Sequence, residues 1–302
     1  MKTLSKLYTL LILLTAPTIL KAQDRIPQYP IRFTQFYNAY SIINPAWAGT
    51  YARLEMVLGN QRMLGNLSKV STYFLNVNYR INRQILSQKP FSTIGITLYN
   101  DREGKYLNRT RFYALYAWHG TIRGNLRISG GLQIGGMNYS VKGTPLTGDG
   151  SDIKPDASVG IQLYNQVFHA GFSVNQVFNS EVRPLEEITV LAPYATVAAD
   201  IWLKTTEWLV ISPALSFQFP LTGEDSRYSK NLFDIVLLFK FQEKFSISSG
   251  IHNNDRIAIT AGIDNLLQST GNLHVYLSYS FVFRKNTNLS SPLFEIGISY
   301  FF

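Results

Sequence analysis

The sequence predicts an all-β fold: a transmembrane, antiparallel, up-and-down β-barrel of about 14 strands, preceded by an N-terminal plug or strap segment. Three observations predict it. Apolar residues alternate with polar or small ones through most of the chain after residue 50. The 302 residues are 46% hydrophobic and 14% aromatic but only 16% charged, with a mean hydropathy close to zero. No later segment holds the roughly 18 uninterrupted apolar residues of a spanning helix. A helical membrane protein would be more hydrophobic, and a soluble enzyme would carry about 25% charged residues. Averaging one lipid-facing and one water-facing side of every strand gives the balance seen. The apolar content excludes disorder. The absence of cysteine excludes a disulfide scaffold, a thiolate metal site and a cysteine nucleophile.

Residues 1–22 read as a secretory signal. Lys2 and Lys6 form a basic start, Leu7 to Ala16 is apolar, and a cleavage site falls after Ala22. The run from Leu7 to Leu20 contains Pro17 and is short for a membrane anchor. Cleavage takes away three lysines (Lys2, Lys6 and Lys21) and no carboxylate, lowering the formal charge from +9 to +6. No basic stretch interleaved with aromatics follows, so the surplus does not point to nucleic acid. It suits cations in loops and beside anionic lipid of the outer membrane.

The alternation marks strands at 51–61, 68–81, 91–100, 109–119, 125–140, 156–165, 167–178, 190–203, 208–219, 231–241, 244–252, 256–264, 273–283 and 293–302. Leu273, Val275, Leu277, Tyr279 and Phe281 alternate with His274, Tyr276, Ser278 and Ser280, for example. The number is even, as a closed barrel with both ends in the periplasm requires. Long polar connections at 141–155, 179–189 and 220–230 suit the extracellular side, and tight ones at Asn165-Gln166, Thr205-Thr206 and Gln242-Glu243 suit the periplasmic side. The connections at 82–90 and 265–272 are longer than that rule expects. In the last strand Phe294, Ile296, Ile298, Tyr300 and the terminal Phe302 alternate with Glu295, Gly297 and Ser299. That pattern resembles the β-signal read by the outer-membrane assembly machinery. A soluble edge strand this apolar would aggregate.

Residues 27–50 break the rhythm. Asn44-Pro45 biases the chain out of helix, Gly49 permits a sharp turn, and Phe33, Phe36, Tyr37, Tyr40 and Trp47 form a dense aromatic set. They need burial, either as a plug inside the barrel or as a strap against a partner. Phe33-Thr34-Gln35-Phe36 and Asn44-Pro45-Ala46-Trp47-Ala48-Gly49 resemble the opening signature of the PorP/SprF family. Asn60-Gln61-Arg62, Tyr99-Asn100-Asp101 with Gly104, Tyr116-Ala117-Trp118-His119 and Asp156-Ala157-Ser158-Val159-Gly160 follow the family's later blocks. Met63-Leu64 departs from it where a tryptophan is expected. The resemblance implies a non-catalytic outer-membrane component of the type IX secretion system. It would partner other components of that system and a secreted adhesin bearing a C-terminal sorting domain, in secretion, surface anchoring or gliding motility. Phe33, Gln35, Phe36, Tyr37, Asn44, Pro45, Trp47 and Gly49 are the candidate plug or partner-binding residues.

Catalytic and cofactor motifs are not expected. His119, His169, His252 and His274 are scattered without metal spacing. Asp149, Asp152 and Asp156 do not match a calcium loop. Gly130-Gly131 and Gly135-Gly136 lie within a strand, where they ease curvature or leave room for a plug side chain. No cofactor is implied. Two other functions remain open: a passive channel for small solutes, which needs an open polar lumen, and a lipid- or peptide-cleaving barrel enzyme.

Overall fold

The computed structural model describes residues 26–27, 33–81, 89–143, 148–185, 189–221, 231–253, 255–267, 271–283 and 291–302. The expected signal at 1–22 and most of the connection at 220–230 lie outside them. Fourteen antiparallel strands form one closed sheet. They are β1 (Leu54–Met63), β2 (Ser71–Arg80), β3 (Phe91–Glu103), β4 (Leu107–Arg123), β5 (Leu126–Val141), β6 (Gly150–Tyr164) and β7 (Phe168–Asn175). The second half comprises β8 (Tyr194–Ile201, extended by Leu203–Lys204), β9 (Leu209–Pro220), β10 (Leu232–Phe241), β11 (Phe245–His252), β12 (Arg256–Ile263), β13 (Asn272–Val282) and β14 (Leu293–Phe301). Each strand pairs with its chain neighbour, and β14 pairs with β1 from Leu293↔Met63 to Phe301↔Glu55, which shuts the seam. Closure leaves no open edge to aggregate.

The period-two pattern separates two faces. On β12 and β13, Ile257, Ile259, Leu277, Tyr279 and Phe281 point outward and are exposed, while Ala258, Thr260, Tyr276, Ser278 and Ser280 are buried inside. On β14, Ile296 and Ile298 are exposed on the outer face, as is Phe302 just after it, with Phe294 and Tyr300 half-buried beside them. Glu295, Gly297 and Ser299 face the lumen. Exposed aromatics such as Tyr79, Trp118, Trp208, Phe245 and Phe302 ring the end that holds both barrel termini, as in the girdles of outer-membrane barrels. The opposite end carries the longest connection, between β7 and β8, so it faces the exterior. There Glu181–Val182, Thr189–Val190 and Ile26–Pro27 form a small three-stranded sheet.

Several boundaries differ from the sequence expectation. The last part of the 141–155 connection is strand, because Gly150–Pro155 pairs with Val141–Gly136 and extends the β5–β6 hairpin. Strands β3 and β4 likewise run past 100 and 109 to a tight turn, held by the inward Arg109–Asp101 and Arg109–Glu103 ion pairs. The first strand starts at Leu54 rather than 51, because the backbone of Tyr51 and Ala52 is turned onto the Glu55 carboxylate. Strand β7 stops at Asn175, since Gln176 and Asn179 take positive φ. Thr189–Val190 belongs to the small outer sheet, so β8 begins at Tyr194.

Candidate functional site

Residues 33–50 lie inside the barrel. A segment that touches opposite walls of a closed ring has nowhere else to be. Thr34 N–H donates to Glu295 on β14 (2.9 Å), Ser41 Oγ donates to Asn76 on β2 (2.8 Å), and Ser173 Oγ on β7 donates to the Ile43 carbonyl (2.9 Å). The Gln35 amide donates to Thr260 on β12, and the Tyr37 hydroxyl pairs with Ser248 on β11 (3.2 Å). A short helix, α1 (Tyr40–Ile43), is flanked by 3₁₀ turns at Phe36–Asn38 and Pro45–Trp47. Compact turns let a brief segment fill the lumen width while meeting its own backbone hydrogen bonds. Burial raises the pKa of the Tyr37 and Tyr40 phenols above the ordinary value, so both keep their protons.

The aromatic set forms one core. Phe33 meets Phe74 of β2 edge-on at 4.7 Å between ring centres, and Tyr99 of β3 at 6.0 Å. Phe36 meets Tyr40 at 5.8 Å, and Tyr40 stacks on Trp47 at 4.6 Å. Ala39, Ile42, Ile43, Val57, Ala198, Ala214 and Val236 complete the cluster. Such burial is worth roughly 1.5–3 kcal/mol per large side chain.

The Asn44-Pro45-Ala46-Trp47 block has its own seat. Asn44 caps the second turn, accepting from Ala46 N–H at 2.9 Å, and its amide donates to the Ile161 carbonyl of β6 at 3.2 Å. Pro45 at the first position of that turn has no N–H to satisfy. The floor beneath is three glycines on adjacent strands. A Cβ on Gly131 would overlap the backbone of Pro45 and Ala46, one on Gly160 the Asn44 amide, and one on Gly171 the Trp47 ring. Ser129 Oγ donates to the Ala46 carbonyl (2.7 Å), and a ring nitrogen of His119 lies 2.8 Å from the Ala48 carbonyl. Gly49 then turns with φ +79°. Its N–H donates to Glu55 Oε2 at 2.8 Å, and its carbonyl accepts from Arg80.

Two lumenal carboxylates therefore hold the ends of the segment. Glu295 accepts from Thr34, from the Gln61 amide and from the Tyr276 hydroxyl (3.1 Å). Glu55 accepts from Gly49, Tyr51 (2.7 Å) and Ala52 (3.2 Å). They sit on β14 and β1, the two strands that meet at the seam. Sequence reading missed both, because each looks like any polar residue on an alternating strand. The missed signal was that an acidic side chain on a lumenal face needs a partner when buried.

Among the described residues, open space remains on both sides of the segment. A chamber of about 230 Å³ opens on the exterior side, lined by Phe33, Thr34, Asp101, Arg111, Asp234 and His252 among others. One of about 210 Å³ lies on the periplasmic side, lined by Tyr37, Tyr51, Trp202, Lys240, Asp264 and His274 among others. The four histidines do not converge. His169 pairs with Asp200 (2.6 Å), His252 with Asp234 (2.8 Å) and His274 with Asp264. Among the described residues no group of three or more His, Cys, Asp or Glu is placed to hold a metal. Asp149 accepts from Gly143 N–H (3.1 Å), Asp152 from Arg183 N–H (2.7 Å), and Asp156 from the Tyr113 hydroxyl (2.6 Å).

A closed 14-stranded barrel with an apolar outer belt, and with its own N-terminal segment lodged in the lumen, is a bacterial outer-membrane protein. The chain is similar in fold to the CymD monoaromatic hydrocarbon channel (9% identity, 86% of this chain and 91% of that one, TM-score 0.53). It is also similar to the toluene transporter TbuX of Ralstonia pickettii (10% identity, 87% and 92%, TM-score 0.50). At such identities the likeness shows the fold alone. No curated protein sequence matches the chain. The model of the family described as type IX secretion system membrane protein PorP/SprF matches residues 26–300, and the chain belongs to that family. It is thus an outer-membrane component of the type IX secretion system.

Proposed function

We propose that this component partners a cognate secreted adhesin bearing a C-terminal sorting domain, serving its secretion or surface anchoring and thereby gliding motility, and that it does so without catalysis. The observation that carries the reading is family membership over residues 26–300. The filled lumen supports it, because a passive solute channel needs an open one. In this reading residues 1–22 are a cleaved signal, 23–50 hold the plug, and 51–302 make the barrel. Phe33, Gln35, Phe36, Tyr37, Asn44, Pro45, Trp47 and Gly49 act as plug residues first. Undocking would expose Phe36, Tyr40, Ile42, Ile43 and Trp47 at roughly 1.5–3 kcal/mol each. A strap that left the lumen would need equal burial on its partner. Phe294, Ile296, Ile298, Tyr300 and Phe302 serve as the assembly signal.

The test is deletion of the gene with assay of surface adhesins, together with affinity purification of the tagged barrel. Loss of a surface adhesin and its co-purification with the barrel are expected. An unchanged surface proteome with no large co-purifying protein would overturn the proposal.

A further inference from the structure

The outer apolar belt does not end at the same row around the barrel. On β11 to β13 the outward positions stay apolar toward the exterior end, at Ile251, Ile257 and Phe281. On β1 to β4 the belt stops at the register row Leu58, Leu75, Leu98 and Phe112. The next outward row is Asn60, Tyr73, Asn100 and Thr110, and the one beyond it is Arg62, Ser71, Arg102 and Asn108. Arg62 and Arg102 thus flank Ser71 on one outward row, about 10 Å apart at ordinary strand spacing.

These groups are organised. The Asn100 amide donates to Asn108 and to Thr110, both at 2.8 Å, and Arg102 Nε donates to the Asn100 side-chain oxygen at 3.2 Å. The Arg102 guanidinium lies 5.8 Å from the centre of the exposed Tyr73 ring. Arg62 Nε donates to the Ser68 carbonyl at 3.0 Å. Lys69 and Lys105, on the two flanking connections, are exposed. Among the described residues no carboxylate lies within ion-pair distance of these four cations. The nearest in sequence, Asp101 and Glu103, bind Arg109 on the inner face. Among the described residues, four cations therefore share one rim without a paired carboxylate, directly above a lipid-facing surface.

We propose that this row binds the phosphorylated headgroup of a glycolipid in the outer leaflet. Arg62 and Arg102 would hold phosphate, and Asn60, Asn108 and Tyr73 would meet sugar. Phosphate supplies the missing counter-charge, and the guanidinium fork matches its oxygens. Apolar positions just below, Leu58, Leu98 and Phe112, lie where acyl chains of the same molecule begin.

The test is native mass spectrometry of the full-length protein with added bisphosphorylated lipid A, its dephosphorylated form, and phosphatidylethanolamine. The intact protein is expected to retain the bisphosphorylated form. The R62A/R102A double variant should lose about tenfold in affinity, while R123A, an exposed arginine at the opposite rim, should not. Heat-modifiable migration of each variant checks that the barrel is folded. If the double variant retains lipid A fully, or if the dephosphorylated form binds as well, the proposal fails. It fails equally if lipid retention is unchanged and the double variant instead loses a co-purifying protein.

Discussion

Gly131, Gly160 and Gly171 show how single residues decide what the lumen can contain. The plug backbone and the Asn44 and Trp47 side chains occupy the space their side chains would fill. Gly131→Leu is expected to push Pro45 and Ala46 off the wall at about 1–3 kcal/mol of overpacking. The change should be read as faster proteolysis near residues 33–50 with heat-modifiable migration retained. Glu295→Ala should cost about 1–3 kcal/mol, because Thr34 N–H, the Gln61 amide and the Tyr276 hydroxyl lose their shared acceptor. Thermal unfolding in detergent measures that loss, and an unchanged midpoint would contradict the two-ended anchoring described above. Gly131 and Glu295 each act through contacts with residues far away in sequence. Gly131 was legible as a strand glycine that could leave room for a plug side chain, but not as the seat of the Pro45 and Ala46 backbone.

At the scale of elements, the plug and the last strand answer different questions. Trp47→Ala combined with Phe36→Ala removes two rings from one cluster, at roughly 3–5 kcal/mol each if the cavity does not collapse. A folded barrel that no longer binds its client would show that the segment also meets a partner. Loss of folding would show that it is a structural plug alone, which is the expected result. Removal of Phe302, exposed at the end of β14, is expected to reduce the amount of barrel assembled in the membrane without lowering the thermal midpoint of what does assemble. The strand rhythm itself was readable, because one lipid face and one aqueous face impose a period of two. Strand ends were less so. The extra length of β3 to β6 rests on cross-strand polar pairs such as Asn100 with Thr110, which resemble loop composition when read along the chain.

For the whole molecule, the plug separates an exterior chamber from a periplasmic one. Purified protein in a planar bilayer is therefore expected to show no steady open-pore current. A large constant conductance would favour the passive-channel function instead. The path of the chain adds a topological expectation. Ile26–Pro27 pairs with the β7–β8 connection at the exterior end, while Glu55 holds the other end of the plug where β1 begins. An epitope placed directly before Ile26 should be reached by antibody on intact cells, and protection of that epitope would reverse the direction in which the plug threads the barrel.

Composition and alternation by themselves determined a barrel of this size, its lipid face and its membrane, because those follow from the solvent each face meets. The N-terminal motif by itself pointed to the family. Only the tertiary structure decided that the aromatic segment lies within the lumen, that three glycines make its seat, and that Glu55 and Glu295 hold its ends across the seam. Those facts depend on which residues closure of the ring brings together, and a period of two along one strand carries no information about what stands opposite.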